Sequence, residues 1–178
     1  MISSRLVVRN YRLADAQAIS HAINESRPSL ARWVPDIARR QTLAEVRVGL
    51  ELLAGQRECE QRLVFGLWER ASGAFLGEVG LYQLDWDRRS AEIGYWLRQS
   101  ARGRGYAAEG LELVCTLASG GLALRQLEAH VAPENVASRG VAERHGFRIT
   151  GQRPAVSEWD GDVVHVLIYT RELDRESS

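Results

Sequence analysis

The stretch "SARGRGYAAEGLELV" (Ser100–Val114) decides the fold, because it joins a glycine-rich loop to an apolar pattern with helical spacing. A loop of this kind commonly binds a phosphate group through its backbone N–H groups. Gly103, Gly105 and Ala108 also match the G-x-G-x-x-A spacing of a dinucleotide-binding loop. An ordinary glycine-rich turn before a helix is a third interpretation. The segments on either side must decide among these possibilities.

The segment before the loop has the pattern of an antiparallel meander. Three β-rich runs, over Arg62–Glu69, Ala74–Asp85 and Ser90–Arg98, are separated by short turns. After Gly105 the apolar residues recur at helical spacing, and we expect that helix to end at Gly120–Gly121. The loop is therefore expected to follow an antiparallel sheet and to open a helix.

The rest of the chain adds four strands and three helices. They are predicted, in chain order, as a strand over Arg5–Asn10, helices over Leu13–Asn24 and from the Thr42 N-cap to about Gly55, a strand over Arg125–Val131, a helix over Asn135–His145 and strands over Phe147–Gln152 and Asp162–Leu173. The two prolines in Glu25–Pro35 are expected to break the first helix. The order β-α-α-β-β-β-α-β-α-β-β indicates an α/β (α+β) fold, with residues 1–178 as a single domain.

Composition narrows the classes of function. The 178 residues carry no net charge, so no general attraction to nucleic acid or to an anionic membrane is expected. The longest apolar run is too short for a membrane span, and the first residues lack the apolar core of a signal peptide, so we expect a cytoplasmic protein. All 23 basic residues are arginine, which excludes a P-loop and Schiff-base chemistry. The four histidines and two cysteines lack metal-ligand spacing, so no metal site is expected.

The dinucleotide interpretation of the loop fails on three counts. A dinucleotide loop follows its strand almost directly, whereas four residues separate Arg98 from Gly103. The preceding strands form a meander instead of parallel crossovers. The acidic residue expected about 20 positions further on is represented by Glu128, which lies inside a predicted strand instead of at its end.

A different pattern fits the same loop. Arg102-x-x-Gly105-x-Ala107 resembles the Gln/Arg-x-x-Gly-x-Gly/Ala signature of the GNAT acetyltransferases, and "ENVASRGVAERHGF" (Glu134–Phe147) is similar to a second segment of that family. "AEIGYWL" before the loop and the N-terminal segment "RLVVRNYRLADAQAI" most resemble the RimJ/RimL branch, which acetylates protein N-termini. The resemblance covers almost the whole chain. It implies a mixed, mostly antiparallel seven-stranded sheet with the cofactor cleft at a splay between the fourth and fifth strands.

The resemblance also implies acetyl-CoA as co-substrate, and the loop suits it physically. Successive N–H groups at the positive end of a helix dipole can bind a pyrophosphate, and glycine allows the backbone to approach it closely. Asn135 is interpreted as a helix cap that also touches the pantetheine arm. The residues expected to contact coenzyme A are Trp96, Leu97, Arg98, Arg102, Gly103, Arg104, Gly105, Tyr106, Ala107 and Asn135.

Two glutamates compete for the role of general base. Alternation along the third meander strand places Glu92 on one face with Gly94 and Trp96, where it would look into the ligand cleft. Glutamates of this type occur at this place in GNAT enzymes, but a solvated strand residue is an equal alternative. Glu158 is the second candidate, because RimL-like proteins carry a glutamate at about this distance after their Gly-Phe segment. Its alternative is an exposed loop acid.

Ser138 is the candidate for protonating the departing thiolate. Many relatives carry a tyrosine where this chain has Ala142, and Ser138 lies one helical turn earlier. Its alternative is a purely structural role at the start of that helix. The resulting hypothesis is an N-acetyltransferase that acts by direct attack on a primary amine, with a protein or peptide N-terminus as the favoured acceptor. A polyamine- or aminoglycoside-type acceptor, a non-catalytic acyl-CoA-binding module, and a monomer or a homodimer all stay open.

Overall fold

The computed structural model describes residues 1–59, 62–156, 161 and 163–173. Seven strands form one sheet: β1 Leu6–Arg9, β2 Leu63–Glu69, β3 Phe75–Asp85, β4 Ser90–Leu97, β5 Gln126–Val131, β6 Arg148–Val156 and β7 Val163–Glu172. Their order in the sheet is β1-β2-β3-β4-β5-β7-β6. β4 and β5 are parallel, and the other neighbouring strands are antiparallel. The predicted seven-stranded, mostly antiparallel sheet is confirmed.

Within the described residues, five α-helices connect the strands: α1 Ala16–Trp33, α2 Pro35–Ala38, α3 Leu43–Glu58, α4 Tyr106–Thr116 and α5 Val136–Arg144. The predicted N-cap of α3 is confirmed, because the N–H of Glu45 donates to Oγ1 of Thr42 at 3.2 Å. The carboxylate of Glu45 in turn accepts a hydrogen bond from the N–H of Thr42 at 2.7 Å. The two bonds form a capping box that fixes the start of α3.

The predicted break in the first helix at Glu25 is wrong, because α1 continues through Pro28 to Trp33. Proline removes one hydrogen bond inside a helix, but burial on both sides of it outweighs that loss here. Ser26 and Leu30 are each 1% exposed. The hydroxyl of Ser29 also donates to the carbonyl of Ser26. The second proline begins the additional short helix α2.

The sheet separates two hydrophobic cores. One core contains residues of α4 and α5, such as Leu111 and Ala142, which pack against the face of the sheet that carries Ile93. The other contains residues of α1, α2 and α3 packed on the opposite face, which includes Trp96. The alternation predicted along β4 is thus confirmed. The side chains of β4 belong to two different environments, one on each side of the sheet.

The sheet opens between its two parallel strands. β4 pairs with β5 at three positions, from Ser90 opposite Gln126 to Glu92 opposite Glu128. Beyond Glu92, β4 continues to Leu97 and β5 continues to Val131 without further pairing between them. This divergence is the splay that was expected between the fourth and fifth strands.

Candidate active site

A groove of about 1410 Å³ lies at the splay and is lined by residues from both faces of the sheet. Its lining comes from the end of α1, from α2, from β3, β4 and β5, from the glycine-rich loop and from α5. Glu92 and Trp96 line it on the α1–α3 side, and Ser138 lines it on the α5 side. One continuous space therefore connects the two candidate catalytic residues that the structure describes.

The edge of β4 presents backbone groups to this groove. The N–H of Arg98 donates to the carbonyl of Leu76 on β3 at 2.9 Å, so the peptide groups of even-numbered residues here face β3. Because peptide groups alternate in direction along a strand, those of Ile93, Tyr95 and Leu97 face the splay. They can pair with an extended ligand as a neighbouring strand would. The N–H groups of Tyr95 and Leu97 therefore lie on the open edge of β4.

The glycine-rich loop lies at the carboxyl end of the same edge. Gly103 and Gly105 have φ angles of 73° and 81°, a left-handed conformation that glycine adopts without strain. Within the described part of the chain, the N–H groups of Gly103, Arg104 and Gly105 find no acceptor. The first N–H groups of α4, at Tyr106 and Ala107, also lack partners inside their helix, as at any helix start. Five successive donors are thus available to an anion.

Two predicted cofactor-binding side chains support the loop from behind. Arg102 donates to the carbonyl of Leu97 at 3.1 Å and to the hydroxyl of Ser29 at 2.7 Å. Tyr106 is buried, and its hydroxyl donates to Glu69 at 2.6 Å on the far side of α4. The sequence predicts Arg102 as a contact of coenzyme A, whereas its guanidinium is engaged with the protein. Because the side chain of Tyr106 points away from the loop, only its backbone N–H is available to a ligand there.

Arg98 has a similar supporting position. Its Nε donates to Glu25 at 2.9 Å, and its Nη1 donates to the carbonyl of Phe75 at 3.3 Å. Glu25 also accepts the N–H of Ser100 at 2.7 Å, and the hydrogen bond from Arg98 lowers the pKa of that carboxyl to about 2. The start of the loop is therefore tied to α1 by an ion pair that persists at acidic pH.

Glu92 lies on the predicted face and has a partner that the sequence analysis did not assign to it. Its Oε2 lies 3.1 Å from Nδ1 of His130 and accepts a hydrogen bond from Gln83 at 3.1 Å. Nε2 of His130 lies 3.3 Å from Glu128, and Nη2 of Arg153 lies 3.1 Å from Nδ1. The hydrogen bond to Glu92 raises the pKa of His130. A charged ring donates to Glu92, whereas a neutral ring can accept from Arg153.

His130 is expected to contribute stability that depends on pH. Its folded-state pKa lies above the ordinary 6.5, so its ion pairs stabilise the fold fully below about pH 6.5 and lose that effect as the pH rises through the raised pKa. His130→Gln should therefore lower the free energy of unfolding by about 1 kcal/mol at pH 6 and by less at pH 8. Urea unfolding at both pH values measures this difference, with exposed His21→Gln as the control. An equal loss at both pH values would contradict it.

On the side of the groove opposite Glu92, Ser138 contacts the hydroxyl group of Tyr95. The hydroxyl of Tyr95 lies 3.1 Å from Oγ of Ser138 and donates to its backbone carbonyl at 3.0 Å. The N–H of Ser138 donates to Oδ1 of Asn135 at 3.2 Å, which confirms Asn135 as the cap of α5. Asn135 also lines the groove. Tyr95 therefore places a phenol at the site, although this chain has Ala142 where many relatives carry a tyrosine.

A second carboxylate in the groove was missed from the sequence. Glu78 on β3 is 5% exposed, and it accepts hydrogen bonds from the hydroxyls of Tyr11 at 2.8 Å and Tyr82 at 3.3 Å. Burial raises its pKa. The signal was present in "FLGEVGL" (Phe75–Leu81), because a charged residue inside a buried apolar strand needs a partner or a function.

The remaining predicted site residues have simpler outcomes. Trp96 is 6% exposed and packs edge-on against Phe75, with 5.9 Å between the ring centroids. Glu158, the alternative base, lies outside the described residues. Among the residues that are described, no group of three or more histidine, cysteine or acidic side chains could hold a metal ion. No helix in the described ranges is long and apolar enough to cross a bilayer.

A splayed parallel pair with an unpaired amide loop at its end defines a site for an extended, phosphorylated ligand. Residues 5–148 match the family of acetyltransferase (GNAT) domains. The chain belongs to this family and is a GNAT N-acetyltransferase that uses acetyl-CoA as its acetyl donor.

Similar proteins agree with this assignment. YdaF of Bacillus subtilis (strain 168), described as a candidate ribosomal N-acetyltransferase, is 26% identical over an alignment of 183 positions that covers 98% of this chain and 94% of YdaF. RimJ of Mycobacterium smegmatis, solved with a CoA disulfide, is 26% identical with a TM-score of 0.87, covering 97% of this chain and 84% of RimJ. RimL, a ribosomal L7/L12 α-N-protein acetyltransferase solved with coenzyme A, shares the fold at 19% identity with a TM-score of 0.91, covering 99% of this chain and 98% of RimL. The resemblance to the RimJ/RimL branch is confirmed.

Proposed function

We propose that this enzyme transfers acetyl from acetyl-CoA to the N-terminal amine of a protein or peptide. The observation that carries the proposal is the groove itself, which lies at the splay and has Glu92 on one side and Ser138 with Tyr95 on the other. A donor and an acceptor can therefore approach from opposite faces and meet in the splay. The ribosomal-protein acceptors in the names of the RimL-like and YdaF relatives favour an N-terminal amine.

The proposed reaction is a direct attack of the amine on the thioester carbonyl. Glu92 accepts the proton that the acceptor ammonium loses, which leaves a nucleophilic amine. The backbone N–H of Tyr95 or Leu97, on the open edge of β4, donates to the oxyanion that develops on the carbonyl. When the tetrahedral intermediate collapses, the carbon–sulfur bond breaks, the attacking nitrogen releases its remaining extra proton to solvent, and the hydroxyl of Ser138 supplies a proton to the departing thiolate. Ser138 then regains a proton from solvent, and Tyr95, whose hydroxyl lies 3.1 Å from Oγ of Ser138, holds that hydroxyl in position.

The donor is proposed to lie along β4 with its pyrophosphate at the glycine-rich loop. The N–H groups from Gly103 to Ala107 would bind the pyrophosphate, with Arg104 exposed beside them. Arg98 and Arg102 would act indirectly, by holding the loop in shape. Asn135 would fix the start of α5 against the pantetheine arm.

The protein is also proposed to act as one domain over residues 1–178, in the cytoplasm, as a monomer or a homodimer. One continuous sheet carrying both cores supports a single domain. The ribosomal-protein acceptors of its relatives support a cytoplasmic site of action.

Release of free thiol from acetyl-CoA tests the proposal against a panel of acceptors. We expect turnover with short peptides that have a free N-terminus and none with the same peptides blocked by N-acetylation. Spermidine and kanamycin represent the small-molecule amines. Turnover with these alone would contradict the peptide acceptor. Binding of acetyl-CoA without turnover of any amine would instead support a non-catalytic acyl-CoA-binding module.

A further inference from the structure

Glu78 is a buried carboxylate that the proposed reaction does not use. It is 5% exposed, yet it lines the groove on the side of α1 to α3. The hydroxyls of Tyr11 and Tyr82 donate to its two oxygens at 2.8 and 3.3 Å. An ionised carboxylate can accept about four hydrogen bonds, so these two leave it capacity for another donor.

Glu78 has no ion-pair partner among the described residues, although Arg32, Arg40 and Arg62 also line this half of the groove. The guanidinium of Arg62 lies over the ring of Tyr82, 4.8 Å from its centroid. The guanidinium of Arg40 lies against Gly49 of α3. Burial raises the pKa of Glu78 more than the positive charges of Arg40 and Arg62 lower it, so a further cation that enters from the groove would stabilise the buried carboxylate.

The surroundings of Glu78 are those of a site for an organic cation. Trp96 stands directly opposite Glu78 across β3 and β4. The ring of Tyr82 covers Gly94 on β4, because a Cβ added to Gly94 would lie 3.2 Å from that ring. Carboxylates combined with aromatic faces attract ammonium groups by charge and by cation–π contact.

Glu78 and Glu92 lie at two separate places along the groove. Trp96, opposite Glu78, is four residues from Glu92 on β4, which corresponds to about 13 Å along the strand. Glu92 is turned towards Gln83 and His130, and Glu78 is turned towards Tyr11. One ammonium group therefore cannot contact both carboxylates at once.

We propose that Glu78 binds a second cationic group of the acceptor, remote from the amine that reacts. This inference rests on the proposed function and narrows it to acceptors with two positive charges. In an extended peptide, residues advance by about 3.3–3.6 Å each, so a lysine side chain at the second or third position spans the separation from the terminal amine. The preferred substrate is then an N-terminus followed closely by a basic residue.

The test compares two peptides that differ only in lysine or norleucine at positions two and three. Wild-type enzyme should show a kcat/KM for the lysine peptide at least about tenfold above that for the norleucine peptide. Glu78→Gln should reduce this ratio to below about threefold, because the amide carries no charge. Glu128→Gln is the matched control, since it removes a more exposed carboxylate outside the groove lining and should keep the ratio.

A ratio near one in the wild-type enzyme would overturn the inference and leave peptide acetylation standing. The inference would also be overturned if Glu78→Gln left the ratio of the two kcat/KM values unchanged. If only small amines react, the peptide acceptor is wrong, and 1,4-diaminobutane against butylamine gives the same comparison of two charges with one. Tyr11→Phe retains the carboxylate and should keep the preference, so a loss of the preference in that variant also counts against the inference.

Discussion

Glu92→Gln is expected to lower the kcat of acetylation by about 10²–10⁴-fold at neutral pH, the usual effect of removing a positioned base. The acceptor amine is protonated at this pH, and glutamine cannot take its proton. The loss should shrink as the pH rises, because the amine then deprotonates in water before it binds. Rates of thiol release from pH 6 to pH 10 on one peptide measure both effects.

The control for this experiment is Glu128→Gln. Glu128 lies opposite Glu92 in the sheet and contacts the same histidine, so the control reproduces the change at His130 without touching the proposed base. It should keep most of the activity. Wild-type activity in Glu92→Gln together with its loss in Glu158→Gln would show that Glu158 is the base.

Gly103→Val is expected to weaken acetyl-CoA binding by at least about tenfold, because the new side chain occupies the approach of the pyrophosphate to the loop amides. A Cβ at Gly103 meets no protein atom within 4 Å, so the protein itself has room for it. The φ of 73° adds strain of about 1–2 kcal/mol to the folded state. Calorimetric titration with acetyl-CoA measures the affinity.

Gly73→Val separates that strain from the loss of binding. Gly73 lies between β2 and β3 with a φ of 71° and also has no atom within 4 Å of an added Cβ. Both variants should lose similar stability on thermal unfolding, and Gly103→Val alone should lose affinity for acetyl-CoA. Gly105→Val is expected to behave like Gly103→Val. Unchanged affinity in either loop variant would reduce that glycine to a turn residue.

Local patterns were sufficient to predict most of the fold. Alternation assigned Ile93 and Trp96 to opposite faces, and the capping box at Thr42 correctly placed the start of α3. These signals act over a few residues, where propensity and hydrogen bonding are decided locally. Pro28 gave the wrong prediction, because its effect depends on how deeply its neighbours Ser26 and Leu30 are buried, which is a tertiary property.

The partners of the site residues were beyond local patterns. His130 meets Glu92 because β5 pairs with β4 in a particular parallel register, 38 positions further along the chain. Tyr11 meets Glu78 only after α1 has packed against the sheet. Arg102 turns inward because the carbonyl of Leu97, on the open edge of β4, is there to accept. Each contact depends on how distant segments of the chain pack together, and short sequence motifs carry no information about that packing.

The three-residue contact between β4 and β5 makes the sheet two half-sheets joined by a short seam. Beyond that seam the edge of β4 is open, and proteins ordinarily cover such edges because they invite other strands. A donor lying along the edge would serve as a removable strand, present only while it is bound. Its binding would then add to folding stability as well as to catalysis, since a ligand of the folded chain alone shifts unfolding by mass action. The concentration of the acyl donor would then set the stability of the folded protein as well as its rate of catalysis.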